Sequence, residues 1–480
     1  MTATIARPES TAHPADATDH RPRLDEAVRV GATAVLWLAL LLVTYWWVAG
    51  GGLQDLGGWE SGLTSLGRVT GLVASVLLLA QVVLMARVPP LEAAFGQDRL
   101  ARTHRLVGFT SFNLMLTHIV LITWGYAAGE LTRTPGTLWD LTVDYPGMLL
   151  AVAGTLCLCL VVATSIRAAR RRVRYESWHL LHLYAYLGVG LALPHQLWTG
   201  QELLSSTGRT VFWWTAWAVT AAAVLTWRVA LPVWRSTRHA LRVTSVVPEA
   251  PGVVSVYLSG RRLDRLPLEA GQFCNWRFLS GPGWTRSHPY SLSAAPDGRS
   301  LRITVQVVGD GSAAVTSLRP GTRVLVEGPY GRLSARARTR RRVVLIGAGV
   351  GTAPLRALAE GLTYAPGEAV YVERYTDAPL FVREIDTLAR ERGLRVLRLS
   401  GRRRSADSWL GSDLGSGPGS GPGSGSEPVA DLDALRSWIP DIAECDVYVC
   451  GPDGWTDLVR RDLAGAGLPD DRLHLETFSW

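Results

Sequence analysis

Hydrophobic and polar positions divide the chain in two. Between residues 28 and 230 six long apolar runs, near 28–49, 67–87, 104–127, 146–166, 178–199 and 211–230, alternate with polar segments. Each approaches the roughly 20 residues a helix needs to cross a ~30 Å hydrocarbon layer. Beyond about residue 240 the pattern changes to short β-like runs, and then to strands alternating with helices, as in soluble domains. Residues 1–27 are polar and rich in Ala, Pro, Asp and Thr, a composition that predicts a disordered tail.

Charge orients the spans. Arg87, Arg99, Arg102 and Arg105 lie between spans two and three, Arg167 to Arg174 between four and five, and Arg228, Arg235, Arg238 and Arg242 after six. The alternate segments carry acids instead: Asp55 and Glu60, then Glu130, Asp140 and Asp144, then Glu202. The positive-inside rule then puts both termini in the cytoplasm of a multi-pass cell-membrane protein. Trp46, Trp47, Trp124, Trp198, Trp213 and Trp214 sit near span ends, where aromatic rings anchor at the interface.

Four histidines interrupt the apolar pattern: His104 and His118 on span three, His182 and His195 on span five. Ionisable groups inside a bilayer are costly and mark function. Separations of 14 and 13 residues correspond to about 21 and 20 Å of helix. One imidazole of each pair therefore lies near each membrane face, His104 and His182 inside, His118 and His195 outside. Two parallel helices so equipped could ligate two stacked haems, because bis-imidazole ligation suits electron transfer. A 14-residue step returns to within about 40° of the same helix face, but a 13-residue step leaves its residues about 140° apart. Pro194 precedes His195 and could re-aim it. His179 is the rival inner ligand.

The soluble half begins with LRVTSVV, GVVSVYLS, QFCNWRF, LRITVQVV and RVLVEG, the pattern of a small antiparallel barrel over 240–335. It contains the string His288-Pro289-Tyr290-Ser291-Leu292-Ser293, an aromatic followed by hydroxyls that could stack on a ring and bond its edge. The Gly309–Ser312 and Gly328–Gly331 segments are turn-forming. In residues 340–480, RVVLIGAGVG closes on Gly347, Gly349 and Gly351 before Thr352 and a helix starting near Pro354. That context suits a dinucleotide pyrophosphate at helix N-terminal amides. Arg374 ends a later strand and could pair with a ribose 2′-phosphate. A Gly/Ser/Pro run within 402–428 reads as a flexible insertion. The expected fold class is a multidomain membrane protein: a six-helix transmembrane bundle (28–235), an antiparallel β-barrel, and an α/β Rossmann-like domain.

Composition removes alternatives. The formal charge is +8 and all 49 basic residues are arginine, so Schiff-base lysine chemistry and a lysine-bearing phosphate loop are excluded. Nothing here points to nucleic acid. Cys157, Cys159, Cys274, Cys445 and Cys450 form neither a disulfide framework nor a four-thiolate cluster.

Taken in order, these features resemble the ferric reductase and NADPH oxidase superfamily, from about residue 30 to the C-terminus. The resemblance implies FAD, two b-type haems and NAD(P)H, with NADPH favoured. It implies that Tyr290 stacks on the flavin, that Ser291 and Ser293 lie at its edge, and that His288 and the Gly309–Ser312 turn meet its pyrophosphate. It places Cys450, Gly451 and Pro452 near the nicotinamide, and Phe478 and Trp480 in an aromatic tail shielding the flavin. Arg68 stands where the oxidases carry an arginine beside the outer haem, whereas Ile122 stands where they often add a histidine. The implied activity carries electrons from cytosolic NAD(P)H to an outer acceptor. A ferric chelate or a broad range of acceptors is favoured, and superoxide production from dioxygen is the alternative. A cytochrome subunit relaying electrons to a partner protein, and a transporter with a fused regulatory domain, are the competing classes. Oligomeric state stays open.

Overall fold

The computed structural model describes residues 20–166, 175–200, 205–281, 283–412 and 430–477. Outside these residues lie most of the expected tail, the arginines of 167–174, Glu202, most of the Gly/Ser/Pro insertion, and Phe478 and Trp480. The described residues divide into two compact units, Asp25–Ala230 and those from Leu231 onward.

The first unit is helical: α1 His20–Ala49, α2 Trp59–Leu84, α3 Pro89–Phe95, α4 Gln97–Tyr126, α5 Thr134–Asp144, α6 Met148–Ser165, α7 Tyr175–Thr199 and α8 Thr207–Ala223. Among the described residues, five helical stretches are long and apolar enough to cross a membrane: Leu24–Ala49, Trp59–Leu84, Arg99–Tyr126, Met148–Ser165 and Thr207–His239. The remaining expected span, α7, is a helix of 25 residues, but its histidines, tyrosines and Gln196 dilute its apolar character. Helix α5 was not foreseen; its Leu138 and Trp139 are exposed.

Many large apolar side chains of this unit point outward, among them Trp37, Leu41, Phe109, Leu149, Leu156 and Val211. An exposed apolar surface of this extent fits a lipid environment. Helix α2 packs along α4, and α6 along α7. Small residues set the second crossing: a Cβ on Gly154 would fall 2.7 Å from the Gly188 carbonyl oxygen, and one on Gly188 2.9 Å from that of Gly154. Backbones come this close only where side chains are missing. Val43 and Trp47 of α1, Leu72 and Val76 of α2, and Trp213 of α8 form the main buried cluster.

The second unit opens with α9 Leu231–His239, whose Ser236 hydroxyl accepts from the Val326 amide at 3.0 Å. Six strands follow: β1 Arg242–Ala250, β2 Val253–Ser259, β3 Phe273–Phe278, β4 His288–Ser291, β5 Ser300–Gln306 and β6 Val324–Tyr330. They form two three-stranded antiparallel sheets, β1-β2-β5 and β4-β3-β6. Single bridges, Arg242 to Arg323 and Leu292 to Ile303, join the sheets, and Val256, Leu258, Trp276 and Ile303 fill the space between them. The short helix α10 Asp310–Val315 follows β5.

The second lobe is a parallel five-stranded sheet, β11-β10-β7-β8-β9, from β7 Val343–Ala348, β8 Ala369–Arg374, β9 Arg395–Leu399, β10 Asp446–Gly451 and β11 Leu473–Thr477. Helices α11 Thr352–Gly361, α12 Val382–Arg392, α13 Asp431–Trp438 and α14 Asp453–Gly465 connect the strands. Every residue of β7 and β10 is buried, as strands covered on both faces must be. Strand order reverses between β7 and β10, the position at which open α/β sheets bind ligands.

Candidate functional site

The four histidines of α4 and α7 are brought together in two pairs. His104 and His182 have ring centroids 6.1 Å apart, and His118 and His195 have theirs 6.4 Å apart. All four line one cavity of about 1870 Å³ between α2, α4, α6 and α7, well above the ~1,000 Å³ upper end of ordinary ligand pockets. Two imidazoles held on opposite sides of one metal, at metal–nitrogen distances of about 2 Å, have centroids about 6 Å apart. Both pairs have about this separation, so each could hold one metal between its two rings. Among the described residues no cluster of three or more His, Cys, Asp or Glu side chains could hold a metal ion.

The rings are oriented from behind. His104 Nδ1 lies 3.1 Å from the Gln81 carbonyl oxygen and His118 Nδ1 2.8 Å from that of Gly67. A ring that donates from Nδ1 keeps its Nε2 lone pair for a metal. The 14-residue spacing foretold that His104 and His118 share a face. It did not foretell the same of His182 and His195, yet both confront their partners. Pro194 lies inside α7 immediately before His195, where a missing amide relaxes the helical phase. The side chain of His179 is outside the described part. Arg68 lines the same cavity and is ion-paired with Asp55. Ile122 packs near Gly67.

In the sheet lobe, the rings of His288 and Tyr290 are stacked, 5.8 Å between centroids and 7° between planes. The Trp276 indole N–H donates to the Tyr290 carbonyl at 2.9 Å and fixes this stretch of β4. Burial pushes the Tyr290 hydroxyl up to about 12. The Ser291 hydroxyl is buried and has no hydrogen-bond partner among the described residues, an open position for a ligand edge. Ser293 differs: its hydroxyl accepts from Arg302 Nε at 3.1 Å and from Thr304 at 2.8 Å. Ser312 is also committed, accepting from the Val308 and Gly309 amides at 2.9 and 3.1 Å. The His288 ring lies against Gly311, where a Cβ would fall 2.8 Å from it.

At the switch point of the parallel sheet, Gly347 and Cys450 are register partners. A side chain on Gly351 would overlap the Cys450 carbonyl, so glycine there lets the β7–α11 turn close on β10. The turn through Gly349 has φ of +56°, and the buried Thr352 hydroxyl donates to the Gly349 carbonyl at 2.7 Å. Cys450 is fully buried; burial first, and the nearby Glu476 carboxylate second, push its thiol well up. Gly451 ends β10 and Pro452 follows it, with Trp455 packed beneath Gly451. Arg374 donates to the Gly401 carbonyl at 3.2 Å; burial, then the adjacent Arg403, pull its guanidinium down. The approach of Glu476 to Cys450 was not read from the sequence. Parallel pairing of β10 with β11, in which Cys450 is opposite Glu476, would have found it.

The fold and site together define a helical domain with paired histidines, joined to a two-lobed module with a buried hydroxyl and a glycine turn at the switch point of a parallel sheet. Residues 70–193 match the family described as ferric reductase like transmembrane component. Over 244 residues the chain is 31% identical to the ferredoxin–NAD(+) reductase component of an alkene monooxygenase system of Xanthobacter autotrophicus, covering 50% of this chain and 70% of that protein. The chain therefore belongs, through its C-terminal half, to the ferredoxin–NAD(+) reductase family, and joins that module to a ferric-reductase-like membrane domain. It is 28% identical over 261 residues to a flavohemoprotein of Bordetella pertussis, covering 51% of this chain and 61% of that relative's length. A solved FAD/NAD-binding domain of a nitric oxide dioxygenase from Vibrio cholerae aligns at 25% identity over 50% of this chain and 99% of its own, with a TM-score of 0.38.

Proposed function

We propose that this chain is a transmembrane NAD(P)H-dependent flavocytochrome oxidoreductase that delivers electrons to an acceptor on the outer face, a ferric chelate or a broad range of small acceptors. The observation that carries the reading is the two imidazole pairs, each about 6 Å between ring centroids, in one cavity of the ferric-reductase-like domain. When bound, FAD would convert a hydride into single electrons, and b-type haems would carry them across the bilayer.

The chain's own part is positioning. His104 with His182, and His118 with His195, would hold the two haems, oriented by the Gln81 and Gly67 carbonyls. Tyr290 offers a flat face and Ser291 a free hydroxyl to the flavin, with His288 and the Gly309–Ser312 turn beside its phosphates. Gly347 and Gly351 let the β7–α11 turn pack closely against its neighbours, which would bring the helix N-terminal amides to the dinucleotide phosphates, and Cys450 would lie near the nicotinamide. Arg374 and Arg403 concentrate positive charge at the end of β8, which favours NADPH over NADH through its 2′-phosphate. The domain division we propose is 28–235 for haem, 240–335 for FAD in a closed barrel and 340–480 for NAD(P)H, with both termini cytoplasmic and a sixth span through α7.

The test is a cofactor inventory and turnover assay on the full chain supplied with haem and FAD. NADPH should reduce the flavin and then the haem, and chelated ferric iron should be consumed in proportion. A yellow protein without a Soret band would end the proposal. Superoxide formed in step with NADPH consumption would move the acceptor to dioxygen, and haem reduction without turnover on small acceptors would favour a protein partner.

A further inference from the structure

A charged cluster of two buried arginines and two half-buried glutamates joins the two lobes of the reductase module. Arg302 of β5 donates to Glu384 of α12 at 2.7 and 2.9 Å, and Arg356 of α11 reaches the same carboxylate at 2.5 Å. Both guanidinium groups also converge on the Ser293 carbonyl, Arg302 at 2.7 Å and Arg356 at 3.2 Å. Arg356 donates to Glu360 at 2.6 Å, and Glu360 accepts from the Ala295 amide at 2.7 Å. Two cations are therefore balanced by two carboxylates. The arginine side chains are only 5% and 9% exposed, so removing one anion leaves an uncompensated charge in a poorly solvated place.

A second observation concerns Phe381. It precedes α12 with φ of +55°, a left-handed conformation that costs a non-glycine residue free energy. Its buried ring lies 5.0 Å from the Arg302 guanidinium, and Tyr257 lies 5.9 Å away. The strained turn brings an aromatic face and Glu384 onto Arg302 together.

We propose that Glu384 is a positioning residue. It clamps Arg302 and Arg356 onto the Ser293 carbonyl and so fixes the end of the HPYSLS strand relative to the dinucleotide helix α11. This inference rests on the hydride-transfer reading above. Ser293 closes the segment that would hold the flavin, and Arg356 stands one turn into the helix that follows the glycine crevice. The clamp thereby sets the distance from nicotinamide to flavin. A displacement of about 1 Å can cost about a hundredfold in rate.

The test compares the full-length wild type with Glu384→Gln and Glu384→Asp. Stopped-flow flavin reduction at saturating NADPH and amide hydrogen exchange without nucleotide are measured for each. In Glu384→Gln the rate should fall ten- to a hundredfold at unchanged FAD content, exchange at the Ala295 amide should quicken, and Glu384→Asp should recover part of both. Unchanged rate and exchange would overturn the clamp. A slower rate with unchanged exchange would overturn it as well, because Glu384 would then act by touching the cofactor. If the wild type reduces its flavin with neither nicotinamide, the functional reading fails, while the exchange comparison still decides the clamp. Should Glu384→Gln not accumulate, Glu384→Asp is compared with the wild type by itself, with a slower rate and quickened exchange at Ala295 expected and both unchanged contrary.

Discussion

The ring of His118 faces that of His195 across 6.4 Å, although one belongs to α4 and the other to α7. Each helix packs against a different neighbour, so the gap between these rings is bounded by α2 and α6 from outside. His118→Ala should lower the haem content by about half, while NADPH still reduces the flavin. Haem quantification and the flavin absorbance of the same sample decide this; full haem retention would reject the assignment.

A Cβ on Gly71 would fall 2.6 Å from His118 Nδ1, closer than any relaxed contact allows. Gly71→Ala should therefore push the ring off the Gly67 carbonyl and impair the outer haem site, seen as lost or shifted haem absorbance. Gly190→Ala is the control, since nothing lies within 4 Å of its Cβ, and alanine there improves helix propensity by about 0.5–1 kcal/mol. Equal spectra in the two variants would argue against the proposed orientation of His118.

Because the buried Ser291 hydroxyl lacks a partner among the described residues, Ser291→Ala should leave the stability of the flavin-free protein unchanged or slightly raised. Loss of one hydrogen bond to the flavin should weaken FAD binding about tenfold, in line with ~1 to 1.5 kcal/mol. Flavin fluorescence titration measures it. Unaltered FAD affinity would place the flavin edge elsewhere.

Glu373 is the penultimate residue of β8, with its side chain buried, and burial pushes its carboxyl up to about 7 despite the Leu380 amide and Arg398 nearby. The folded state then holds a proton that the unfolded chain releases near its ordinary value of 4.5. Its contribution to stability is greatest below pH 4.5 and declines as pH rises to about 7, by at most about 3 kcal/mol. Glu373→Gln should flatten that slope and raise the unfolding temperature above pH 7. Parallel pH profiles of variant and wild type would contradict it.

The Cys450 and Cys274 thiols are both buried and pushed up, chiefly by burial. Thiolate is the reactive form, so neither should be alkylated at pH 8 until the protein unfolds. Mass-spectrometric mapping after iodoacetamide treatment tests this, and rapid native labelling of Cys450 would mean the crevice opens readily.

Much of the layout was legible because it depends on short-range periodicity. The strands from LRVTSVV to CDVYVCG appear where alternation and β-branched residues put them. The glycine turn lies between β7 and α11 as its strand–glycine–helix pattern required. Other features were hidden. The hydroxyls of Ser293 and Ser312 accept hydrogen bonds from Arg302, Thr304 and local amides that no sequence pattern announced. Helix α5 lacked a strong apolar period.

Residue order alone determined which segments are apolar, where the histidines fall along their helices, and the succession of glycine and aromatic motifs. Each depends on neighbours within a few turns of chain. Only the tertiary structure decided that His195 turns toward His118 despite an unfavourable helical phase, and that Arg302 meets Glu384, 82 residues away. The physical reason is that a ring's direction and an ion pair's partner are set by packing between distant elements. Local periodicity carries no record of that packing.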